Sequence, residues 1–576
     1  MGKLSTLRET LNYQPVPAKF GTSGVRALVS DLTDLEVYCL TMGALRYFES
    51  SNKLSLTINS QHGIKIPVAC DLRPSSDRLV KATAKAIIDA GYQVDYQGKI
   101  PTPALTFYAL QQGIASFIIT GSHIPADRNG QKPNRCDGEV LKADEQGIVA
   151  NVNNIRELLF NQAAEESIFD EDGMIKQAFT VSIPESNNAA IEAYKQRYQA
   201  VFSADGLKGK RFLFFQYSAV GRDLIPEILR NCGAEVIETG RSEEFIPIDT
   251  EAISQNHLQM LEKLLTENLA KGRFDAIIST DGDSDRSLVI AVDSENAGAQ
   301  LQFIPGDLLG ITVADYLQVD SVSIPISSNP AVHEFFSEKG VKTQKTRIGS
   351  PFVIAAMQQA LDAGFKRVVS WEANGGFLIG SDISVNGTQL KALPTRDAVL
   401  PILAALYDAS EKGISLSELF TRLPKWYGKA GLIDDFPQQV SQKILATFKP
   451  VNEKITTTEF HTDRIIAKDL DDQILEEWLL SEDQAKDTQA KRERLSSVFT
   501  RKLGFSQINA INTLDGIRCF FDNGEIAHIR PSGNAPQLRI YAHARSQQRA
   551  DEIVSQALQE PDGILRQLQK LISQNN

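Results

Sequence analysis

Ser122, His123 and Lys132 fall within eleven residues of one another, in Thr120-Gly121-Ser122-His123-Ile124-Pro125 and Asn129-Gly130-Gln131-Lys132. A hydroxyl, an imidazole and an ammonium so placed suit phosphoryl chemistry: the hydroxyl can carry the group, the cation can offset its charge, and the imidazole can move a proton. The same residues would also serve as an ordinary Ser/Gly turn in a βα unit. Further along, Asp281-Gly282-Asp283-Ser284-Asp285-Arg286 puts three carboxylates at alternate positions, where oxygen ligands can converge on one hard cation. Carboxylates this close repel unless a cation sits among them, so metal binding is favoured over a solvated acidic turn. An EF-hand would need Gly and Glu where Arg286 and Val292 stand. A haloacid-dehalogenase-type nucleophile would need Thr or Val at Asp285.

Three weaker constellations accompany these two. Phe20-Gly21-Thr22-Ser23-Gly24-Val25-Arg26 offers glycines and a guanidinium that can fork onto phosphate. Trp371-Glu372-Ala373-Asn374-Gly375-Gly376 carries a carboxylate and an amide two residues apart, able to grip vicinal hydroxyls. Arg530-Pro531-Ser532-Gly533-Asn534-Ala535-Pro536 combines an arginine, a hydroxyl, an amide and free N–H groups in a phosphate cradle. Each also reads as a plain glycine turn.

The elements that must position these loops follow a strand–helix–strand rhythm, indicating βαβ units and mainly parallel sheets. Apolar runs at 66–70, 115–119, 211–215, 274–279, 321–324, 367–371 and 524–529 read as strands, and the loops at 120, 280, 372 and 530 each leave such a run. Residues 34–49, 79–90, 224–231, 331–339 and 352–362 have helical spacing. Residues 141–178 read as surface helices and connection, 468–500 as charged and helical, and 547–558 as the last helix. Beyond residue 423 the rhythm stops, which marks a different C-terminal domain.

A chain of 576 residues has room for about four domains. Its 60 Lys+Arg against 72 Asp+Glu, net charge −12, argues against a nucleic-acid partner. No apolar run reaches the ~18 residues that span a bilayer, and residues 1–14 lack the apolar core of a signal peptide. The five cysteines are scattered, as in a reduced cytoplasmic protein. No GxxxxGK[ST], GxGxxG or GxSxG motif occurs.

In their order, these loops resemble the α-D-phosphohexomutase superfamily, the phosphomannomutases and phosphoglucomutases. Residues 20–26, 120–132, 281–286 and 530–536 are similar to its N-terminal, phosphoserine, metal and phosphate loops, and the likeness covers nearly the whole chain. The departure is the sugar loop. The family has Gly-Glu-x-Ser-Gly-His; here Asn374 stands for Ser and Gly376 for His.

The resemblance implies four domains around one cleft: three similar mixed or parallel α/β domains (1–200, 201–317, 318–422) and a smaller α+β domain (423–576). It implies a phosphoserine at Ser122 and Mg²⁺ on Ser122, Asp281, Asp283 and Asp285. Positive charge would come from Arg26, Lys132 and Arg286, with His123 as proton shuttle and Lys132 its competitor. The substrate would be held by Glu372, Asn374, Gly375, Arg286, Arg347, Arg530, Ser532, Gly533, Asn534 and Arg539. The implied reaction moves phosphate between C6 and C1 of a hexose, mannose before glucose, through a 1,6-bisphosphosugar that also serves as activator. Since that intermediate turns end for end, the C-terminal domain would hinge. Alternatives are a phosphoglucosamine mutase, a metal-dependent sugar-phosphate phosphatase or a sugar-phosphate sensor. A cytoplasmic monomer or homodimer is expected.

Overall fold

The computed structural model describes residues 5–17, 19–21, 24–56, 63–251, 253–293, 300–531 and 536–573. Two compact units emerge, one of Met1–Asp320 with Gly349–Phe420, the other of Ser321–Ile348 with Thr421–Asn576.

The first unit repeats one topology. In its first sheet, Lys65–Cys70 pairs in parallel with Gln93–Lys99 and with Ser116–Ile119; Ser116–Ile119 then turns back into Arg128–Arg135, antiparallel, and Val25–Leu28 closes the edge. The second sheet does the same. Arg211–Tyr217 pairs in parallel with Glu235–Arg241 and Ala276–Thr280, which returns antiparallel through Ser287–Asp293 to Gln300–Phe303. A third set, Val368–Trp371, Phe377–Ile379 and Leu393–Asp397, is antiparallel. The sheets are therefore mixed, not mainly parallel. The serine, aspartate and sugar loops occupy the same place in each: the turn where a buried strand meets its antiparallel return.

The strands that end at the site are fully buried: Phe117, Ile118, Ile119, Ile278, Val368 and Val369 are 0% exposed. Each such aliphatic or aromatic side chain contributes about 1.5–3 kcal/mol on burial, so the strand ends are stiff supports. Asn-Gly at 129–130 is a turn signal by composition, and the structure overrides it. Asn129-Gly130-Gln131-Lys132 is not a turn but part of the buried strand Arg128–Arg135. Its polar side chains find internal partners: Asn129 Nδ2 donates to Ser75 Oγ and Ser76 Oγ, and Gln131 Nε2 to Thr41 Oγ1 and Thr83 Oγ1. Composition alone does not reveal such partners.

The second unit contains the parallel pair Ser321–Pro325 and Lys342–Thr346 and an eight-stranded antiparallel sheet. Within 468–500, expected to be helical, Ile474–Leu479 is a strand and only Asp483–Ser496 is a helix. Ile474-Leu475-Glu476-Glu477-Trp478-Leu479 pairs with Arg464–Lys468, and that long-range pairing overrides the local charge. A further helix, Ile564–Ser573, follows Gln547–Leu558. Among the described residues no helix is long and apolar enough to cross a membrane.

Two histidines lie under this sheet. His528 Nε2 donates to the Asp515 carbonyl at 2.6 Å, so its buried Nδ1 is the bare nitrogen. Burial, and then the Arg518 guanidinium, pull the pKa of His528 and of His543 down to about 3. Both folded values lie below the ordinary 6.5, so on acidification the unfolded chain takes up protons first. The stability these neutral rings confer is whole above about pH 6.5 and is lost towards pH 3, at about 1.4 kcal/mol per pH unit for each. The urea midpoint should therefore fall between pH 6 and pH 4, and His543→Gln should flatten that slope by one proton. A slope unchanged by the substitution would contradict this assignment.

Candidate active site

Ser122 sits at the end of Ser116–Ile119 with φ 56° and is wholly buried. Left-handed backbone costs a non-glycine residue about 1–2 kcal/mol, so surrounding contacts must hold it. The principal one is Arg73. All five of its N–H donors are used: Nε on Asp71 Oδ2 (3.2 Å), Nη1 on the carbonyls of Pro125 (2.6 Å) and Arg128 (2.9 Å), and Nη2 on those of Ser122 (2.9 Å) and Ile124 (2.5 Å). The Phe245 ring lies over the guanidinium at 4.0 Å. Asp71 in turn accepts from Thr120 Oγ1 (2.8 Å) and Ser76 Oγ (2.7 Å).

The local sequence gives Arg73 no role. The available signal was topological: Asp71-Leu72-Arg73 leaves a strand that lies parallel to and beside the serine strand, and such strand ends share one edge. Arg73→Met would strand four carbonyls and a buried carboxylate. It should cost about 3–5 kcal/mol in urea unfolding, and turnover should fall with it. An unchanged midpoint would refute the clamp.

The aspartate loop faces the serine. Ser122 Oγ donates to Asp281 Oδ2 at 2.7 Å. Asp281 Oδ1 accepts the backbone N–H groups of Asp285 and Arg286, both at 3.1 Å, which winds the loop around it. A Cβ on Gly282 would lie 2.6 Å from the Ser122 carbonyl, so only glycine allows this approach. One carboxylate oxygen from each of Asp281, Asp283 and Asp285 lies within 4.8 Å of the others, and all three residues are buried. Asp283 Oδ2 accepts from Lys132 Nζ (2.8 Å) and Thr102 Oγ1 (2.8 Å); Lys132 also reaches Asp285 Oδ2 (3.2 Å). Asp283 Oδ1 and Asp285 Oδ1 are buried with no hydrogen-bond partner. Converging oxygens, two of them orphaned, fit a hard divalent cation.

Charges are balanced unevenly. Burial, and then Asp283 and Asp285, push the Asp281 carboxyl well up. Burial would do the same to Asp283, but Lys132 holds it well below the usual carboxylate range. Asp285 is also held down against burial, by Arg396 first. Arg26, brought down to about 10 by burial and then by Arg286, stays a cation at neutral pH. Arg286 Nη1 donates to His123 Nδ1 at 2.9 Å, and that nitrogen lies 3.4 Å from Ser122 Oγ. Since a guanidinium only donates, His123 Nδ1 presents a lone pair.

The sugar loop is anchored as a turn. Gly375 N donates to the Glu372 carbonyl (3.0 Å), Asn374 Oδ1 accepts from Gly376 N (3.0 Å), and Thr250 Oγ1 donates to the Asn374 carbonyl (2.6 Å). Glu372 Oε2 accepts from Arg396 Nη1 (3.0 Å), another residue whose local sequence gives it no role.

In the second unit, Arg530 Nε donates to Asp515 Oδ1 (3.1 Å), whose Oδ2 accepts from Ile348 N (3.0 Å). That carboxylate places the exposed Arg347 turn beside Arg530. Arg539 is the cross-strand partner of Arg530. Ser532, Gly533 and Asn534, like Thr22 and Ser23, lie outside the described residues.

A serine hydroxyl on the rim of a buried aspartate trio, at equivalent turns of repeated α/β sheets, defines a phosphoryl-transfer class of enzyme. Family models agree. Residues 17–159 match phosphoglucomutase/phosphomannomutase alpha/beta/alpha domain I, 305–427 match domain III, and 480–560 match the C-terminal domain. A phosphomannomutase of Sinorhizobium fredii is 36% identical over 542 residues, 94% of this chain and 98% of the relative. One of Salmonella muenchen is 35% identical over 543 residues, 94% of each. Among solved structures, a phosphoglucomutase/phosphomannomutase family protein from Burkholderia thailandensis aligns over 97% of this chain and 98% of its own, TM-score 0.61, 16% identity. The open form of Paramecium parafusin aligns over 97% and 95%, TM-score 0.59, also 16% identity; both likenesses concern the fold. The chain belongs to the phosphoglucomutase/phosphomannomutase family and is an intramolecular phosphotransferase, an isomerase.

Proposed function

We propose that the protein interconverts hexose 6-phosphates and hexose 1-phosphates, mannose foremost, with Ser122 carrying the transferred phosphoryl group. The observation that carries this reading is the 2.7 Å contact between Ser122 Oγ and Asp281 Oδ2. Esterified, that oxygen would face a carboxylate without a proton to share, and a cation between them is the natural remedy. Asp281, Asp283, Asp285 and the phosphoserine would hold Mg²⁺. A divalent ion there offsets the charge gathering on the phosphoryl oxygens.

The chain's own residues do the rest. The P–Oγ bond of phosphoserine breaks as a P–O bond forms to the sugar's free O1 or O6, and that hydroxyl's proton passes to His123 and on to the departing Ser122 Oγ. The resulting 1,6-bisphosphosugar, which also acts as activator, presents its other phosphate. That phosphoryl returns to Ser122 Oγ as its bond to the sugar oxygen breaks, and the serine proton passes through His123 to that oxygen. Lys132, as an ammonium spent on two carboxylates, contributes charge, together with Arg26 and Arg286. Glu372, Asn374 and Gly375 receive the ring hydroxyls. Arg530, Ser532, Gly533, Asn534, Arg539 and Arg347 take the phosphate that is not transferred. The division at 1–200, 201–317, 318–422 and 423–576, and a cytoplasmic setting, belong to the same reading.

Mannose is placed first because the 35% and 36% identical relatives are phosphomannomutases. The test is ³¹P NMR of mannose, glucose and glucosamine 1-phosphates with Mg²⁺ and a trace of bisphosphate. The 6-phosphate should appear, fastest from mannose. Free phosphate alone would indicate the phosphatase alternative.

A further inference from the structure

Gly376 stands where the family's sugar loop has histidine, and another side chain fills its surroundings. A Cβ at 376 would lie 2.4, 2.6 and 2.9 Å from Cδ, Cγ and Cβ of Arg396. Leu393–Asp397 pairs antiparallel with Phe377–Ile379, Asp397 facing Phe377, which sets Arg396 against the end of the sugar loop. Arg396 is 2% exposed. Its Nε and Nη2 fork onto Asp285 Oδ2 at 3.0 and 2.9 Å, and its Nη1 reaches Glu372 Oε2 at 3.0 Å. One buried guanidinium thus joins the loop that offers cation ligands to the loop that offers a sugar ligand. The side-chain oxygen of Asn374 is committed within the turn, to Gly376 N. Glu372 is left as the carboxylate through which hydroxyls can be read.

We propose, building on the hexose phosphate mutase reading, that Arg396 is a specificity-determining positioning residue. It takes the place of the family's loop histidine, fixes the plane of the Glu372 carboxylate for a pair of hexose hydroxyls, and ties that carboxylate to the aspartate loop. Gly376 is its counterpart: the loop gives up a side chain so that a cation from another strand can occupy the space. A lysine cannot substitute, because a single ammonium does not reproduce a planar fork onto one carboxylate with a third donor on another.

The pairing makes a test that a merely structural arginine would fail. Wild type, R396A, R396K, G376A and the G376A/R396A double variant are compared in steady-state turnover of mannose 1-phosphate and glucose 1-phosphate. Binding of the same sugars is measured by calorimetry in an S122A background, where no turnover occurs. R396A should raise KM and the calorimetric Kd by about tenfold or more and compress the ratio between the two sugars, with a smaller effect on kcat. R396K should recover little. G376A should resemble R396A in the wild-type background and add less than about twofold in the R396A background, the signature of coupled residues. G376A deletes no contact group, so it carries the comparison even if R396A fails to fold; normal KM and sugar ratio in a folded G376A would then overturn the proposal. Equal damage by G376A in both backgrounds would also overturn it, as would an R396A protein that only melts earlier. A wild type that converts neither sugar would instead overturn the mutase reading, and this assignment with it; an active wild type confines any failure to Arg396.

Discussion

Ser122→Ala should lower mutase turnover by on the order of 10⁴-fold or more while leaving the protein folded. The size follows from removing the one atom that carries the group: no neighbouring residue can take over covalent transfer, and nucleophile deletions in other enzymes act on this scale. The folded state should survive because what holds residue 122 is backbone. Arg73 grips the carbonyls of Ser122, Ile124, Pro125 and Arg128, and Ser122 N donates to Thr120 Oγ1 at 2.8 Å. Alanine keeps all of these and bears the same left-handed φ. The loss is one hydrogen bond to Asp281, worth about 1 kcal/mol. Two measurements decide: initial rates with hexose 1-phosphate, and transfer of labelled phosphoryl from a bisphosphosugar to protein. Wild type should take up label on Ser122 and the variant none. Label appearing on another residue, or turnover within tenfold of wild type, would remove Ser122 from the mechanism.

Asp281→Asn should move activity and metal-free stability in opposite directions. Its Oδ1 accepts two backbone N–H groups and its Oδ2 the serine hydroxyl; an amide keeps the oxygen and offers a donor to Ser122 Oγ. The loop should hold its shape. What disappears is a buried carboxyl crowded by Asp283 and Asp285, so without divalent cation the variant should melt above wild type. With Mg²⁺ the order should reverse. At a hundred times Kd, wild type should gain about 2.7 kcal/mol and the variant far less. Turnover should fall by about 10²–10³-fold, the scale of one lost electrostatic stabiliser. Differential scanning calorimetry in EDTA and in Mg²⁺, beside the rate assay, checks both halves. An equal Mg²⁺ increment in the two proteins would mean the trio is not the cation site.

Much of the candidate site was legible because it is local. Ser122 with His123, and the three alternate aspartates, are near neighbours in the chain, and turn chemistry at a strand end depends on few residues. Strands at 115–119, 274–279 and 367–371 announced themselves as unbroken apolar runs, since both faces are covered. The buried polar strand Arg128–Arg135 did not, because its ladder to Ser116–Ile119 and Val25–Leu28 buries polar side chains whose four hydroxyl partners lie 48 to 90 residues away. Ile474–Leu479 was missed for the same reason: its pairing outweighs a charged neighbourhood that reads as helix.

By itself, then, the order of residues determined which groups are available and on which kind of turn each stands, because periodicity and turn signals are short-range. Only the tertiary structure decided which groups meet. It set Ser122 on Asp281 across 159 residues and Lys132 between Asp283 and Asp285 across 151 and 153. It also gave two arginines, Arg73 and Arg396, tasks that no local pattern announces. The physical reason is that a buried guanidinium is worth what surrounds it: its five donors and its charge must be matched by acceptors, and those acceptors come from wherever the sheets bring the chain back.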